Sequence, residues 1–306
     1  DNTLVDPDSV SFAVSVKDLD GDTSPAGNLV INIVDDVPTA ELDTNSVASG
    51  SYAAVMGDVL ANDTQGADGA TVVGVQVGAG DVQPIGTDTK VNGQYGELTI
   101  STDGSYSYQR NPGTPGDVKD VFTYTIKDAD GDTSVTTLTI TIGDATPPLP
   151  VIPAAGGDTT TVYEAGLAAR GSEPAGSDEA QDTEKTSGTI SFTSLDGVSE
   201  VSLGGHVLGT VEAVLETTAQ GELKGYYTHD PATGAGTIYY TYTLLDNTLV
   251  DPDSVSFAVS VKDLDGDTSP AGNLVINIMD DVPTAVADTH ASVIMEGASD
   301  TGTVLT

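Results

Sequence analysis

Val121-Phe122-Thr123-Tyr124-Thr125-Ile126-Lys127 places large apolar residues at every second position, turns through Asp128-Ala129-Asp130-Gly131-Asp132, and rises again with Val135, Leu138, Ile140 and Ile142. Phe122, Tyr124 and Ile126 alternate with Thr123, Thr125 and Lys127, so one set faces a buried layer and the other faces out. Period-two patterning on both sides of a Gly/Asp turn predicts a β-hairpin. The same unit stands at Val10 to Ile33 around Asp18-Leu19-Asp20-Gly21-Asp22, and at Val255 to Ile278 around Asp263-Leu264-Asp265-Gly266-Asp267.

Each hairpin runs at once into a punctuated segment: Asp35-Asp36-Val37-Pro38, Gly143-Asp144-Ala145-Thr146-Pro147-Pro148, or Asp280-Asp281-Val282-Pro283. Proline stops a sheet and stiffens the connection, so these segments read as linkers. They divide the chain into residues 1–36, the tail of a truncated unit; 37–145, a complete domain; 146–281, a longer complete domain; and 282–306, the start of a further unit. Domains of this size built from many short strands fit β-sandwiches of immunoglobulin type, so the expected fold is all-β, a linear array of tandem Ig-like sandwiches. No segment predicts a convincing helix; Val162 to Ala169 comes nearest but is short and meets Gly171, Pro174 and Gly176. The polar run Arg170 to Ser187 predicts a mobile surface loop.

Residues 1–40 reappear as 246–285 with one change, Val34 against Met279, at an offset of 245 residues. Self-similarity at long period marks a modular repeat protein, and the expectation is a stretch of a longer tandem array. A structure copied nearly verbatim serves length, avidity or spacing, whereas an active site is built once.

The chain carries 47 Asp+Glu against 9 Lys+Arg, a formal charge of −38. Such a surface repels phosphate, so nucleic acid and anionic lipid are poor candidates as partners and no nucleic acid is expected. Disorder is the rival account of acidic, Trp-free sequence, but 38% hydrophobic content with β-branched alternation argues for folded strands. Cysteine is absent, which removes disulfides and thiolate chemistry. A β protein without disulfides needs another staple, and hard cations bound by carboxylates would serve. No apolar run approaches the roughly 18 residues of a membrane span, so direct membrane insertion is not expected.

The acidic turns are the candidate cation sites. Carboxylates at alternate positions around a glycine curl several oxygens towards one centre, and calcium accepts six to eight oxygens at flexible geometry. The EF-hand template does not apply: glycine falls at the fourth position, and Thr139 or Leu274 stands where a bidentate Glu is required. In an Ig-type sandwich the hairpin before the last strand turns at the N-terminal pole, beside the arriving linker. Asp128, Asp130 and Asp132 should therefore face Asp35 and Asp36, and Asp263, Asp265 and Asp267 should face Asp144. Asp280 and Asp281 would serve the next turn along, and Asp18, Asp20 and Asp22 an upstream linker. Glu164, early in the longer domain, is within reach of the same pole as the 263–267 turn, with an ordinary surface glutamate as the equal alternative, and Glu296 sits at a comparable place in the further unit. Asp6 and Asp8, repeated as Asp251 and Asp253, flank a proline and shape a turn.

Asp58-Val59-Leu60-Ala61-Asn62-Asp63, Gly96-Glu97-Leu98-Thr99-Ile100, Asp103-Gly104-Ser105-Tyr106-Ser107-Tyr108 and Phe122-Thr123-Tyr124 together resemble the VCBS/bacterial cadherin-like repeat over nearly all of 37–145. Residues 146–281 more loosely resemble companion repeats of type I-secreted giant adhesins, through Asp196-Gly197-Val198, Leu203-Gly204-Gly205 and Tyr239-Tyr240-Thr241-Tyr242. The resemblance implies the extender region of a calcium-dependent RTX adhesin of a Gram-negative bacterium. It would lie outside the cell at the bacterial surface, with Ca2+ at the domain junctions and the adhesion target bound by other domains. Its partners are then the neighbouring repeats of the same chain, and it is expected to act as a monomer. The linker at Asp144 departs from the Asp-Asp-x-Pro pattern, which implies fewer ions or more bending there.

The alternative function is a calcium-dependent carbohydrate-binding module using Tyr226, Tyr227, Tyr239 and Tyr240, with His229-Asp230 near by. Strand tyrosines packing a sandwich account for the same residues. His206, His229 and His290 have no nucleophile motif around them, so no catalytic residues and no enzyme are expected. A Lys–Asn isopeptide crosslink is a further possibility that intact mass would reveal.

Overall fold

The computed structural model describes residues 8–34, 36–249 and 253–283. Asp6, Asp35, Asp251, His290, Glu296 and the unit expected from 282 onwards (beyond residue 283) lie outside the described residues.

An N-terminal hairpin pairs β1 (Asp8–Val14) with β2 (Gly27–Ile33). The first sandwich has β3 (Asp43–Val47), β4 (Val55–Asp58), β5 (Ala70–Val77), β6 (Gln83–Pro84), β7 (Thr89–Asn92), β8 (Gly96–Ile100), β9 (Ser105–Arg110), β10 (Val118–Asp128) and β11 (Thr133–Ile142). The second has β12 (Thr161–Tyr163), β13 (Lys185–Thr193), β14 (Glu200–Leu203), β15 (His206–Val207), β16 (Ala213–Thr217), β17 (Gly221–Asp230), β18 (Ala235–Leu244), β19 (Asp253–Lys262) and β20 (Gly272–Met279). Helical structure among the described residues is confined to 3-10 turns at Glu164–Gly166 and Glu179–Gln181. The Val162–Ala169 segment is thus a short strand followed by a 3-10 turn. The expected 170–187 loop ends sooner: it carries the second 3-10 turn and an antiparallel bridge between Arg170 and Glu173, and from Lys185 it is strand, paired with β18.

The two sandwiches share one plan. Sheet order β3-β11-β10-β5-β6 in the first corresponds to β12-β20-β19-β14-β15 in the second, and β4-β9-β8-β7 to β13-β18-β17-β16. In each, the first strand pairs parallel with the last, Asp43 to Val47 against Leu138 to Ile142 and Thr161 to Tyr163 against Asn277 to Met279. The alternation along β10 becomes a buried row of Phe122, Tyr124 and Ile126, packed with Leu98, Ile100, Tyr108, Leu138 and Ile140. Burial of side chains this size stabilises by about 1.5–3 kcal/mol each. A separate core in the second sandwich includes Ile190, Leu203, Leu223, Ile238, Val259, Leu274 and Ile276.

The duplicated sequence shows what the rest of a sandwich contributes. Phe257 is 8% exposed and Ile276 0% where the sheet of β13 and β16–β18 covers them, while their counterparts Phe12 and Ile31 are 51% and 50% exposed. The hairpin forms from its own alternation and turn, and only packing buries it.

Candidate metal centres at the sandwich poles

The acidic turn builds itself the same way three times. Asp128 Oδ1 accepts the N–H groups of Gly131 at 2.9 Å and Asp132 at 2.6 Å. Asp263 Oδ1 accepts those of Gly266 and Asp267 at 3.0 and 2.7 Å, and Asp18 Oδ1 those of Gly21 and Asp22 at 3.0 and 2.8 Å. Local aspartate-to-backbone bonding of this kind is the usual turn chemistry of the residue. The glycine sits at φ +122° in the first sandwich, a conformation that side chains resist.

At the pole of the first sandwich, carboxylates of Asp68, Asp128 and Asp130 converge, with one oxygen of each within 4.8 Å of the others. Asp68 Oδ2 also accepts the N–H of Ala129 at 3.2 Å. Asp36 of the arriving linker lies beside the same pole: a Cβ on Gly66 would sit 3.7 Å from both its Oδ2 and Asp68 Oδ1. Asp132 contributes its backbone to the turn and stands outside the converging group.

At the pole of the second sandwich, Asp144 from the linker converges with Asp196 and Asp265. Gly116 of the first sandwich donates its N–H to Asp265 Oδ2 at 2.9 Å, and Thr146 Oγ1 donates to Asp267 Oδ2 at 2.7 Å. Burial, followed by the charges of Asp265, Asp267 and Asp196, pushes Asp144 above the usual carboxylate range. Burial and then Asp265 push Asp263 up to about 7. Asp18, in the same sequence but exposed, is lowered by hydrogen bonding to Asp20 and then to the Asp22 N–H. Its turn places Asp18, Asp20 and Asp22 within mutual reach, and among the described residues none packs over it.

Asp68 and Asp196 were not singled out as ligands from the sequence. They occupy equivalent places, in the turn leading to the strand that pairs with the hairpin's first strand, β5 on β10 and β14 on β19. Each precedes a glycine with positive φ, Gly69 at +73° and Gly197 at +78°. That Asp-Gly pair is the signal the sequence offered, but it does not say which pole the turn reaches.

Glu164 is a correction. It stands at the opposite end of the second sandwich from the 263–267 turn, because β12 runs parallel to β20 and ends beside Met279. It is 5% exposed, and its Oε1 accepts the N–H of Thr248 at 2.5 Å and the Thr248 hydroxyl at 3.0 Å. A recess of about 260 Å³ there is lined by Glu164, Arg170, Thr248, Asp280 and Asp281. Asp281 receives the N–H and hydroxyl of Ser177 at 2.7 and 2.6 Å.

The residues fit a hard cation on one further observation: Asp128 Oδ2 and Asp263 Oδ2 are buried and take no hydrogen bond. A buried carboxylate oxygen without a partner is costly unless a positive charge meets it. The tyrosines of the second sandwich do packing work. Tyr240 is 2% exposed, Tyr226 and Tyr239 stack across strands at 4.7 Å, and Tyr227 leans on Phe192, which His229 also stacks against.

The plan defines a class first: consecutive β-sandwiches joined pole to pole, with acidic groups at the joints. Residues 35–144 match the family model of the bacterial cadherin-like domain. Solved structures similar to the chain include Drosophila N-cadherin EC1-4, at 13% identity over 89% of this chain and 58% of that one, TM-score 0.27. Protocadherin gammaB7 EC3-6 matches at 12% identity over 89% and 58%, TM-score 0.31, and mouse clustered PcdhgC3 EC1-3 at 10% over 90% and 78%, TM-score 0.25. At these scores the likenesses carry no further argument. The chain spans 58% and 51% of the length of the N-cadherin and protocadherin gamma B2 chains it matches. A search of curated protein sequences returns no match. The cadherin-like match points to an adhesive or extracellular structural role, and domains of this kind typically bind calcium. No helix among the described residues is long and apolar enough to cross a membrane.

Proposed function

We propose that this chain is a calcium-stiffened spacer from the extender region of a secreted bacterial surface adhesin of RTX type, in which tandem sandwiches hold a distal binding region away from the cell. The observation that carries the reading is the joint at Asp144: a linker carboxylate meets Asp196 and Asp265 of the next sandwich, one oxygen of each within 4.8 Å of the others. Calcium would supply charge neutralisation and six to eight oxygen positions, and extracellular modules typically hold it at about 10⁻⁴ to 10⁻³ M. Asp144, Asp196, Asp263 and Asp265 would hold it at this joint, and Asp36, Asp68, Asp128 and Asp130 at the one before.

The repeat joins two half-views of that earlier joint. Asp280-Asp281-Val282-Pro283 duplicates Asp35-Asp36-Val37-Pro38, so the end carrying Glu164 and Asp281 corresponds to the end that precedes the first sandwich. In this reading Glu164 serves the C-terminal joint of its own sandwich. Where no basic side chain sits among them, the linker carboxylates repel when bare, leaving such joints free to flex in a calcium-poor cytosol, and come together outside the cell. The chain acts on neighbouring repeats of itself as a monomer, and the adhesion target belongs to other domains. Small-angle X-ray scattering with paired thermal melts, in millimolar calcium and in EDTA, tests the reading. An elongated particle that softens and melts earlier in EDTA supports it, and identical curves overturn it.

A further inference from the structure

Only two of the nine basic residues are arginines, Arg110 and Arg170. Arg110, the last residue of β9, is 0% exposed. A guanidinium is almost never buried without a partner, and this one finds its partner in the other sandwich. Arg110 Nη2 lies 2.8 Å from Asp196 Oδ1, with both side chains wholly buried. The second oxygen of Asp196 accepts the N–H of Ala145, in the linker, at 2.7 Å. One carboxylate thus ties the first sandwich, the linker and the second sandwich together.

The guanidinium is held in place from its own side. Its Nε donates to Thr114 Oγ1 at 3.1 Å and its Nη2 to the Thr114 carbonyl at 2.5 Å, while Cζ stands 5.4 Å from the Tyr52 ring centroid. Tyr52 in turn donates its hydroxyl to the Leu195 carbonyl at 2.5 Å, next to Asp196. The carboxylates of Asp144 and Asp265 converge on the same Asp196. Asp68, the counterpart of Asp196 in the first sandwich, takes a backbone N–H from Ala129 and forms no ion pair among the described residues.

We propose that Arg110 is the resident cation of the joint between the two sandwiches, a positioning residue that locks them to one another without a divalent ion. A buried ion pair is a poor source of net stability, but breaking one side of it leaves an uncompensated charge, so it specifies geometry strongly. Arginine suits the task because its planar fork fixes direction as well as charge. The departure of the Asp144 linker from Asp-Asp-x-Pro then accompanies a joint that needs less added cation, and one that does not bend more. The inference stands whether or not calcium binds there.

The test uses the full chain with Asp81→Cys and Glu212→Cys as its only thiols, spin-labelled for a distance distribution across the joint. In EDTA the parent chain should give one narrow distribution, and Arg110→Gln should broaden it severalfold. Asp196→Asn, on the other sandwich, should broaden it equally, and the double variant no further, because either change removes the same pair. Separate melting of both sandwiches in Asp196→Asn guards against misfolding of the first sandwich in Arg110→Gln. A parent distribution already broad in EDTA overturns the proposal, as does one that neither variant widens. Millimolar calcium is added last: failure to narrow Arg110→Gln, which keeps every proposed ligand, would count against the calcium reading at this joint and leave the role of Arg110 intact.

Discussion

Asp128 does two jobs that substitution can separate. One oxygen accepts the N–H groups of Gly131 and Asp132 and shapes the turn, while the other is buried without a hydrogen bond. Asp128→Asn keeps an acceptor for the turn and removes the charge; Asp128→Ala removes both. Hydrogen bonds to a charged acceptor contribute about 1.5–3 kcal/mol each, so losing two, with relief of repulsion from Asp68 and Asp130 set against them, should cost about 2–4 kcal/mol in EDTA. Asn should stay within about 1 kcal/mol of the parent there. At calcium a hundredfold above its dissociation constant, the parent should gain about 2.7 kcal/mol. For a domain of this size that gain is a rise in Tm of about 10 °C. Both variants should lose most of it. Scanning calorimetry in EDTA and in about 10 mM calcium reads all of these numbers, taking a dissociation constant near 10⁻⁴ M. If Asp128→Asn retained the full calcium shift, the carboxylate would not be a ligand; if Asp128→Ala melted with Asp128→Asn in EDTA, the turn bonds would not matter.

Asp263 sets a pH dependence. Its folded-state value, raised to about 7, lies above the unfolded one, so its contribution to stability is present in full below about pH 4 and lost as pH rises through 7. Calcium-free melts of the second sandwich should therefore fall between pH 5 and about 8; calcium should flatten the slope, and an unchanged slope in Asp263→Asn would refute the assignment. A Cβ on Gly116 would overlap the Asp196 carboxylate and lie 2.6 Å from Asp144 Cα, so Gly116→Ala should open the joint while leaving each sandwich's own melt unchanged. Scattering would show the longer, looser particle, and an unaltered profile would count against the contact. Phe257→Ala should destabilise by about 3–5 kcal/mol, whereas the identical change at exposed Phe12 should cost little, as urea unfolding would show.

The hairpins were legible because their information is local: alternation and an Asp-Gly turn give them even where no described residue packs on top, as at β1 and β2. The converging carboxylates were legible only in part. Asp128, Asp130 and Asp265 lie in turns that advertise themselves, but Asp68 and Asp196 join them through the pairing of β5 and β14, and no spacing in the sequence encodes that approach. Glu164 was read at the wrong pole because the direction of β12 depends on its parallel partner β20. Arg110 gave no sign of itself, since its meaning comes from a residue 86 positions away on another sandwich.

The parallel pairing of first and last strands has a mechanical consequence. Tension on a tethered chain enters each sandwich at one pole through its first strand and leaves at the other through its last, so the hydrogen bonds between those strands are loaded side by side in shear. Five residue pairs share the load between β3 and β11, but three between β12 and β20. Under pulling in a single-molecule force experiment the second sandwich should yield first, paying out its length while the shorter sandwich still holds.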